Sequence, residues 1–195
     1  MSTSWCRHDC LILDACCTIN LYASGQMHEI LKALSVQCTI ASYVHEKEAL
    51  KIYDRTKDKT TQRKVHIDLQ PLIDSGLLIV ASLKGDDESR DVINFVYSGL
   101  DDGEAITGAI ARHRNWGIGT DDKAAISFFG REISHVQVVT TPELIQLWVE
   151  TTHPAIEVVA SSLNDIQLRA KYTPSPKHPL YHWWISYTDG YIWSW

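Results

Sequence analysis

Strand-like and helix-like patterns alternate along most of this chain, and this alternation limits the choice of fold more than any other feature. Short apolar runs such as CLILD, VQCTIAS and LLIVASL predict buried strands, and WGIGTD and VQVVTT predict two more. Helices are predicted between and after them, at about 27–35, 43–55, 87–98, 101–114, 122–130, 142–151 and 155–171. Such alternation predicts an α/β fold, a three-layer α/β/α sandwich with a mainly parallel sheet of four to five strands.

The end of the chain has a different composition. Residues 172–195 hold three of the six prolines and four of the seven tryptophans, so a long helix is excluded there. We therefore predict an α/β domain at 1–150. A C-terminal helix and a Pro/Trp-rich arm at 151–195 would pack on this domain or on a partner.

Composition excludes two classes of protein. No apolar run approaches the length of a membrane span, which predicts a protein without a membrane contact. The five cysteines include an adjacent pair and do not suggest a disulfide framework, and the N-terminus lacks the pattern of a secretory signal. Both observations favour a cytoplasmic protein.

The formal charge of −6 is unevenly distributed. Residues 47–64 contain seven basic and three acidic side chains, and this basic segment follows the second predicted strand. A solvated helix face is the simpler interpretation of such a run. The alternative is that Lys47, Lys51 and Arg55 contact a polyanion beside an acidic centre that metal ions neutralise.

Acidic residues occur where the predicted strands end. Asp14 ends the first strand and Asp121 ends the fourth, while Glu46 and Glu48 come just past the second. Glu104 lies in the first turn of the helix that leads into the Asp121 strand. Because the carboxyl ends of parallel strands form the usual binding edge, these acids are predicted to converge. Each could instead cap a helix: Asp14, Asp101, Asp102, Asp121 and Asp122 all precede or begin one.

Converging carboxylates repel one another unless a cation lies between them. Oxygen ligands suit Mg²⁺ or Mn²⁺, which retain bound water and reach substrate phosphates. Cys6, His8 and Cys10 are close in sequence, but they lack a second ligand pair for zinc. The sequence therefore favours a magnesium or manganese site.

The ordered set LILDACCTINL, YVHEKEAL, LDDGEAITGAIA and GIGTDDKAA resembles the motifs of PIN-domain proteins. The resemblance covers about residues 9–145. The chain is also close in size to the VapC-like toxin ribonucleases of toxin–antitoxin pairs, which it resembles. It implies a parallel sheet between helices and an acidic pocket for one or two divalent ions.

The resemblance also assigns the site residues. The catalytic and metal-binding set it implies is Asp14, Glu48, Glu104 and Asp121, with Asp102 and Asp122 as further metal ligands. Thr120 and Asn20 would support the site. Glu48 is preferred to Glu46 because the letters EAL continue the family pattern, whereas the arginine common after Asp122 is absent and only Lys123 is near.

The implied activity is metal-dependent hydrolysis of RNA phosphodiester bonds by an endoribonuclease, with Lys47, Lys51 and Arg55 as substrate contacts. The implied partners are an RNA substrate, an inhibiting antitoxin protein and, in a homodimer, a second copy of the chain. The aromatic tail is one candidate surface for the protein partners.

Two other functions compete with this interpretation. A haloacid-dehalogenase-type phosphatase requires Asp-x-Asp-x-Thr after the first strand, but Cys16 stands at the second aspartate of DACCT. A PIN-like fold without catalysis, acting as a binding or scaffold module, would keep the same motifs, because fold alone does not determine function.

Overall fold

The computed structural model describes residues 5–56, 58 and 60–188. Its strands are β1 (Cys10–Leu13), β2 (Gln37–Ala41), β3 (Lys51–Tyr53), β4 (Lys64–His66), β5 (Leu78–Ala81), β6 (Gly117–Gly119) and β7 (Val138–Val139). Its α-helices are α1 (Ala15–Ala23), α2 (Met27–Ala33), α3 (Gln70–Asp74), α4 (Gly85–Tyr97), α5 (Asp102–Arg114), α6 (Lys123–Glu132), α7 (Thr141–Thr152), α8 (Ile156–Asp165) and α9 (Tyr181–Thr188). Two single π-helical turns occur at Val44–Glu48 and Ile166–Ala170.

The described residues form two compact units that alternate along the chain. The first unit contains residues 5–18, 35–50 and 68–140, and the second contains the remaining described residues. The domain boundary predicted near residue 150 would divide the chain once, whereas the segments of these two units alternate. That boundary stays a prediction.

A five-stranded sheet forms the centre of the first unit. Its order is β5-β2-β1-β6-β7, and every pair of neighbouring strands is parallel. Leu13, the last residue of β1, is paired with Ile40 of β2 and Gly119 of β6. Helices flank this sheet, so the predicted α/β fold with a parallel sheet of four to five strands is confirmed.

Burial explains why these short segments form strands and helices. All four residues of β1 are buried, as a parallel sheet between helices requires. Helix α5 contacts β1, β2 and β6 through a face of small residues. Its Gly108 lies against the ring of Phe129 from α6, which a side chain at this position would displace. Small residues thus allow α5 to approach both the sheet and α6.

The second unit is largely helical. Helix α2 packs on α7, and α8 packs on α9. Trp184 of α9 is fully buried, so this part of the tail belongs to a packed core. An antiparallel hairpin of β3 and β4 completes the unit. The Pro/Trp-rich arm is therefore helical at Tyr181–Thr188, while residues 189–195 lie outside the described part of the chain.

The helix predicted at about 43–55 is wrong. A π-helical turn ends at Glu48, and the chain then enters strand β3. Ile52 and Tyr53 are residue types that favour strands, and the pairing of β3 with β4 supplies backbone partners that a helix extension would lose. Local apolar spacing predicted a helix because it carries no information about the pairing of this segment with the later strand β4.

No helix among the described residues has the length and apolar character needed to cross a bilayer.

Candidate functional site

The candidate site lies at the switch point of the sheet, where the strand order changes direction. The chain continues from β1 to β2 on one side, and from β6 to β7 on the other. Adjacent connections that diverge in this way leave a crevice at the carboxyl ends of the strands. Asp14 follows β1, and Thr120 and Asp121 follow β6, so these residues lie at the ends of two neighbouring strands.

Asp14 is a buried carboxylate with several hydrogen-bond partners. Its side chain is 4% exposed, and its Oδ1 accepts the backbone N–H of Ala15 at 2.7 Å. The hydroxyl of Thr120 donates to Oδ2 at 3.0 Å, and the thiol of Cys16 donates to the same atom at 3.4 Å. Burial raises the pKa of Asp14, and these three donors only partly offset it. Thr120 therefore supports Asp14 directly.

Cys16 joins the ends of the two strands. Its Sγ accepts the backbone N–H of Asp121 at 3.2 Å and lies 3.4 Å from the hydroxyl of Thr120. Burial raises the pKa of the Cys16 thiol, and the charges of Asp14 and Asp121 raise it further. A protonated thiol is a poor nucleophile, so Cys16 acts here as a hydrogen-bonding contact between β1 and β6.

Glu48 reaches the site from the π-helical turn after β2. The backbone N–H of Gly103 donates to its carboxylate, and a Cβ built at Gly103 would overlap that carboxylate. Glycine at this position thus leaves the space that Glu48 occupies at the start of α5. Burial, followed by the charges of Asp101 and Asp14, raises the pKa of Glu48 to about 7.

Glu46 differs from Glu48 in its surroundings. Its side chain is exposed, whereas Glu48 is half-buried beside the other acids. These surroundings agree with the preference for Glu48, which stays a prediction.

Glu104 forms a reciprocal cap with Asp101 at the start of α5. Asp101 Oδ1 accepts the N–H of Glu104 at 2.8 Å, and Glu104 Oε2 accepts the N–H of Asp101 at 3.1 Å. Burial raises the pKa of Glu104 to about 7, and the charges of Asp101, Asp122 and Asp14 add to the effect. Glu104 therefore caps α5 and also lies near enough to Asp14 for the charge of Asp14 to affect its pKa.

Two neighbouring acids have structural partners. Asp122 caps α6, because its Oδ1 accepts the N–H groups of Ala124 and Ala125 at 2.7 and 2.9 Å. Asp102 accepts the hydroxyl of Tyr43 at 3.1 Å. Metal binding by Asp102 and Asp122 stays a prediction, and each would have to retain or exchange these contacts.

Sequence reasoning did not assign Asp101 and Tyr43 to the site. Asp101 had been considered only as a cap, yet its charge acts on both Glu48 and Glu104. The signal was present in the repeated acids of LDDGEA, where only the register of the helix start distinguishes Asp101 from Asp102. No comparable signal marked Tyr43.

The other predicted site residues are divided between the units. Lys47 is exposed in the same π-helical turn as Glu48. Asn20, Lys51 and Arg55 belong to the second unit. There Asn20 Nδ2 donates to Thr141 Oγ1 at 3.4 Å, and Arg55 pairs with Asp165 at 2.8 Å. Their predicted roles at the site stay predictions.

The acidic side chains do not form a ready-made set of metal ligands. Within the described ranges, no group of three or more His, Cys, Asp and Glu side chains is placed so that it could hold a metal ion. Mg²⁺ commonly uses one or two carboxylates and completes its shell with water and substrate oxygens. Burial raises the pKa values of Asp14, Glu48 and Glu104, and the charge of Asp101 raises all three further, so a cation beside them would stabilise their charged forms.

Comparisons with known proteins give one structural likeness. No protein-family model matches the chain, and no curated protein matches it. A PilT N-terminus domain protein from the archaeon Sulfolobus solfataricus P2 is similar in structure, with a TM-score of 0.44 and 17% sequence identity. The likeness covers 72% of this chain and 94% of that one.

Proposed function

We propose that this protein is a Mg²⁺- or Mn²⁺-dependent endoribonuclease of the PIN type. The observation that supports it is that Asp14 and Asp121 follow two neighbouring parallel strands at the switch point, and that the charge of Asp14 also acts on Glu48 and Glu104. Three of these carboxylates have raised pKa values, which is common where charged groups are gathered for binding or catalysis.

Each site residue has a distinct part in this proposal. Asp14 and Asp121 would hold the cation at the ends of β1 and β6, while Glu48 and Glu104 would bind it directly or through water. Thr120 keeps the Asp14 carboxylate oriented by its hydrogen bond. When bound, the divalent ion lowers the pKa of a coordinated water and stabilises negative charge on phosphate oxygens.

The finer points of the proposal follow the motif resemblance. The substrate is RNA, and Lys47 beside Glu48 would contact its backbone, which gives position without sequence preference. The chain would act in the cytoplasm as the toxin of a toxin–antitoxin pair, inhibited by an antitoxin protein and able to form a homodimer.

Metal-dependent cleavage of RNA tests the proposed activity. The purified protein should cleave single-stranded or structured RNA with Mn²⁺ or Mg²⁺, and chelation should stop it. Asp14→Asn and Asp121→Asn should each lower the rate by about 100-fold or more, since each removes a negative ligand. Asp86→Asn, an exposed acid in the first turn of α4, is the matched control and should leave the rate unchanged.

Cleavage that persists in both site variants would contradict the assigned site. A folded protein that binds RNA without cleaving it under any divalent ion would instead favour the scaffold alternative. For the toxin role, expression in a bacterial host should arrest growth, and the Asp14→Asn variant should not.

A further inference from the structure

The outward face of the β3–β4 hairpin is basic and carries one aromatic ring. Lys51 is paired with His66, and Tyr53 is paired with Lys64. Because side chains alternate along a strand, these four residues share one face, and Ile52, which is 2% exposed, points to the other. The side chains of Lys51, Lys64 and His66 are exposed.

Lys171 reaches this face from a distant part of the second unit. It follows the π-helical turn Ile166–Ala170, which contacts β3, and its Nζ lies 4.7 Å from the centroid of the Tyr53 ring. The Nζ of Lys64 lies 5.6 Å from the same centroid. We call Lys51, Lys64 and Lys171 the lysine cluster, with Tyr53 at its centre.

Hydrogen bonds hold Lys171 in place. Its Nζ donates to Gln62 Oε1 at 2.6 Å. Gln62 Nε2 in turn donates to the backbone oxygens of Asp54 at 3.2 Å and Leu168 at 3.3 Å. The position of Lys171 is therefore built into the fold of the second unit, unlike that of a lysine on an isolated surface helix.

The charges of the lysine cluster are not neutralised locally. Asp54 accepts the N–H groups of Thr56 and Arg63, and Asp58 accepts that of Thr60, so both acids of the hairpin loop bind backbone. Asp165 is paired with Arg55. Within the described ranges, the lysines of the cluster form no ion pair with a carboxylate. Ammonium groups gathered in this way favour an external polyanion.

We propose that the lysine cluster and Tyr53 form a binding site for single-stranded RNA, a choice of polyanion that rests on the proposed function. The ammonium groups would bind successive phosphates, and a base would stack on Tyr53 as an ammonium moves from the ring to a phosphate. A base in a duplex cannot reach the ring, so the aromatic centre selects unpaired RNA. Lys64 and Lys171 would thereby add two backbone contacts to those predicted from the sequence.

Binding can be measured apart from cleavage. An Asp14→Asn protein in EDTA is titrated into a fluorescent single-stranded oligoribonucleotide at several salt concentrations. The Lys64→Gln/Lys171→Gln variant should bind at least tenfold more weakly. The slope of log K against log salt should fall by about 1.4, because each phosphate contact to a single strand contributes about 0.7.

Matched variants control for charge and folding. Lys32→Gln/Lys84→Gln removes two exposed lysines elsewhere and should leave affinity and slope nearly unchanged. Tyr53→Phe should retain the preference for single strands over duplex, whereas Tyr53→Leu should lose it. Circular dichroism confirms that each variant is folded, and Lys64→Gln/Lys171→Arg, which retains the charge at position 171, should bind more tightly than Lys64→Gln/Lys171→Gln.

Three outcomes would overturn this site: equal affinity of the cluster and control variants, equal binding of duplex and single strand, or equal competition by polyglutamate. The result is separable from the nuclease proposal. If the protein never cleaves RNA but the cluster variant loses RNA binding, the lysine cluster alone is supported. If the protein cleaves RNA and the cluster variant binds RNA as before, the nuclease alone is supported.

Discussion

At the scale of single residues, the site depends on close contacts between backbone and carboxylates. Gly103 is the sharpest case, because the Glu48 carboxylate occupies the space of its missing side chain. Motif matching directed attention to Asp14, Glu48, Glu104 and Asp121. It could not distinguish capping from ligand roles, because both place an acid at a helix start and differ only in three-dimensional contacts.

Replacing Gly103 with alanine should displace Glu48. We expect a loss of about 1–3 kcal/mol in the free energy of unfolding, since the new methyl group removes the N–H partner of a half-buried carboxylate. Gly130→Ala in α6 meets nothing within 4 Å and should be neutral or stabilise by up to about 1 kcal/mol. Urea denaturation measures both, and equal effects would contradict the proposed overlap.

The carboxyl groups should also give stability a pH dependence. The pKa values of Glu48 and Glu104 rise from 4.5 to about 7 on folding, so the folded state binds protons more tightly than the unfolded state. Without divalent ions, the free energy of unfolding should therefore fall as pH rises from about 4.5 to about 7. Urea titrations in EDTA at several pH values measure this, and Glu48→Gln should flatten the dependence. A rise over this window would contradict it.

At the scale of elements, a buried ion pair joins two helices of the first unit. Helices α4 and α5 are joined by Glu88, which is 4% exposed, and Arg114. Arg114 donates to both Glu88 oxygens, at 2.8 and 2.9 Å, and to the backbone oxygen of Ser82 at 2.6 Å. Burial would raise the pKa of Glu88, but these bonds and the N–H of Lys84 lower it.

Removing Arg114 should be costly for this reason. Arg114→Ala leaves a buried carboxylate unpaired and should lower the free energy of unfolding by about 3–5 kcal/mol. The exposed pair Arg131–Glu132 is a matched control, and Arg131→Ala should cost less than about 1 kcal/mol. Chemical denaturation of the two variants compares them, and similar costs would show that Arg114 is not a buried partner.

Periodicity predicted most elements of the sheet and the helices around it. It failed at the segment after β2, where a π-helical turn and a hairpin replace the expected helix. Strand β3 has three residues, and its partner begins at Lys64, so pairing rather than local pattern determines it. Lys171 was equally inaccessible to sequence reasoning, because only the folded second unit brings it to Tyr53.

At the scale of the whole molecule, the aromatic tail contributes to a hydrophobic core. Trp184 is fully buried and its ring meets that of Tyr172 edge to face, with centroids 5.8 Å apart. The tail therefore has a structural use within its own unit, whatever surface it also offers to an antitoxin or a second copy.

Truncating this side chain should loosen the second unit. Trp184→Ala should lower the free energy of unfolding by about 3–5 kcal/mol, whereas the half-buried neighbour Trp183→Ala should cost clearly less. Hydrogen exchange would locate the effect, with faster exchange expected in α8 and α9. Unchanged protection of these helices in the Trp184 variant would contradict the core assignment.

The alternation of the two units along the chain has a consequence for biosynthesis. The first unit is complete in sequence at residue 140, and it contains every carboxylate of the candidate site. The second unit needs residues beyond 140 to join segments made much earlier. During translation, the first unit is therefore complete while the early segments of the second unit still lack their C-terminal packing partners. A stop codon near residue 140 would yield a product that has the proposed metal ligands but lacks Lys171 and α7, α8 and α9.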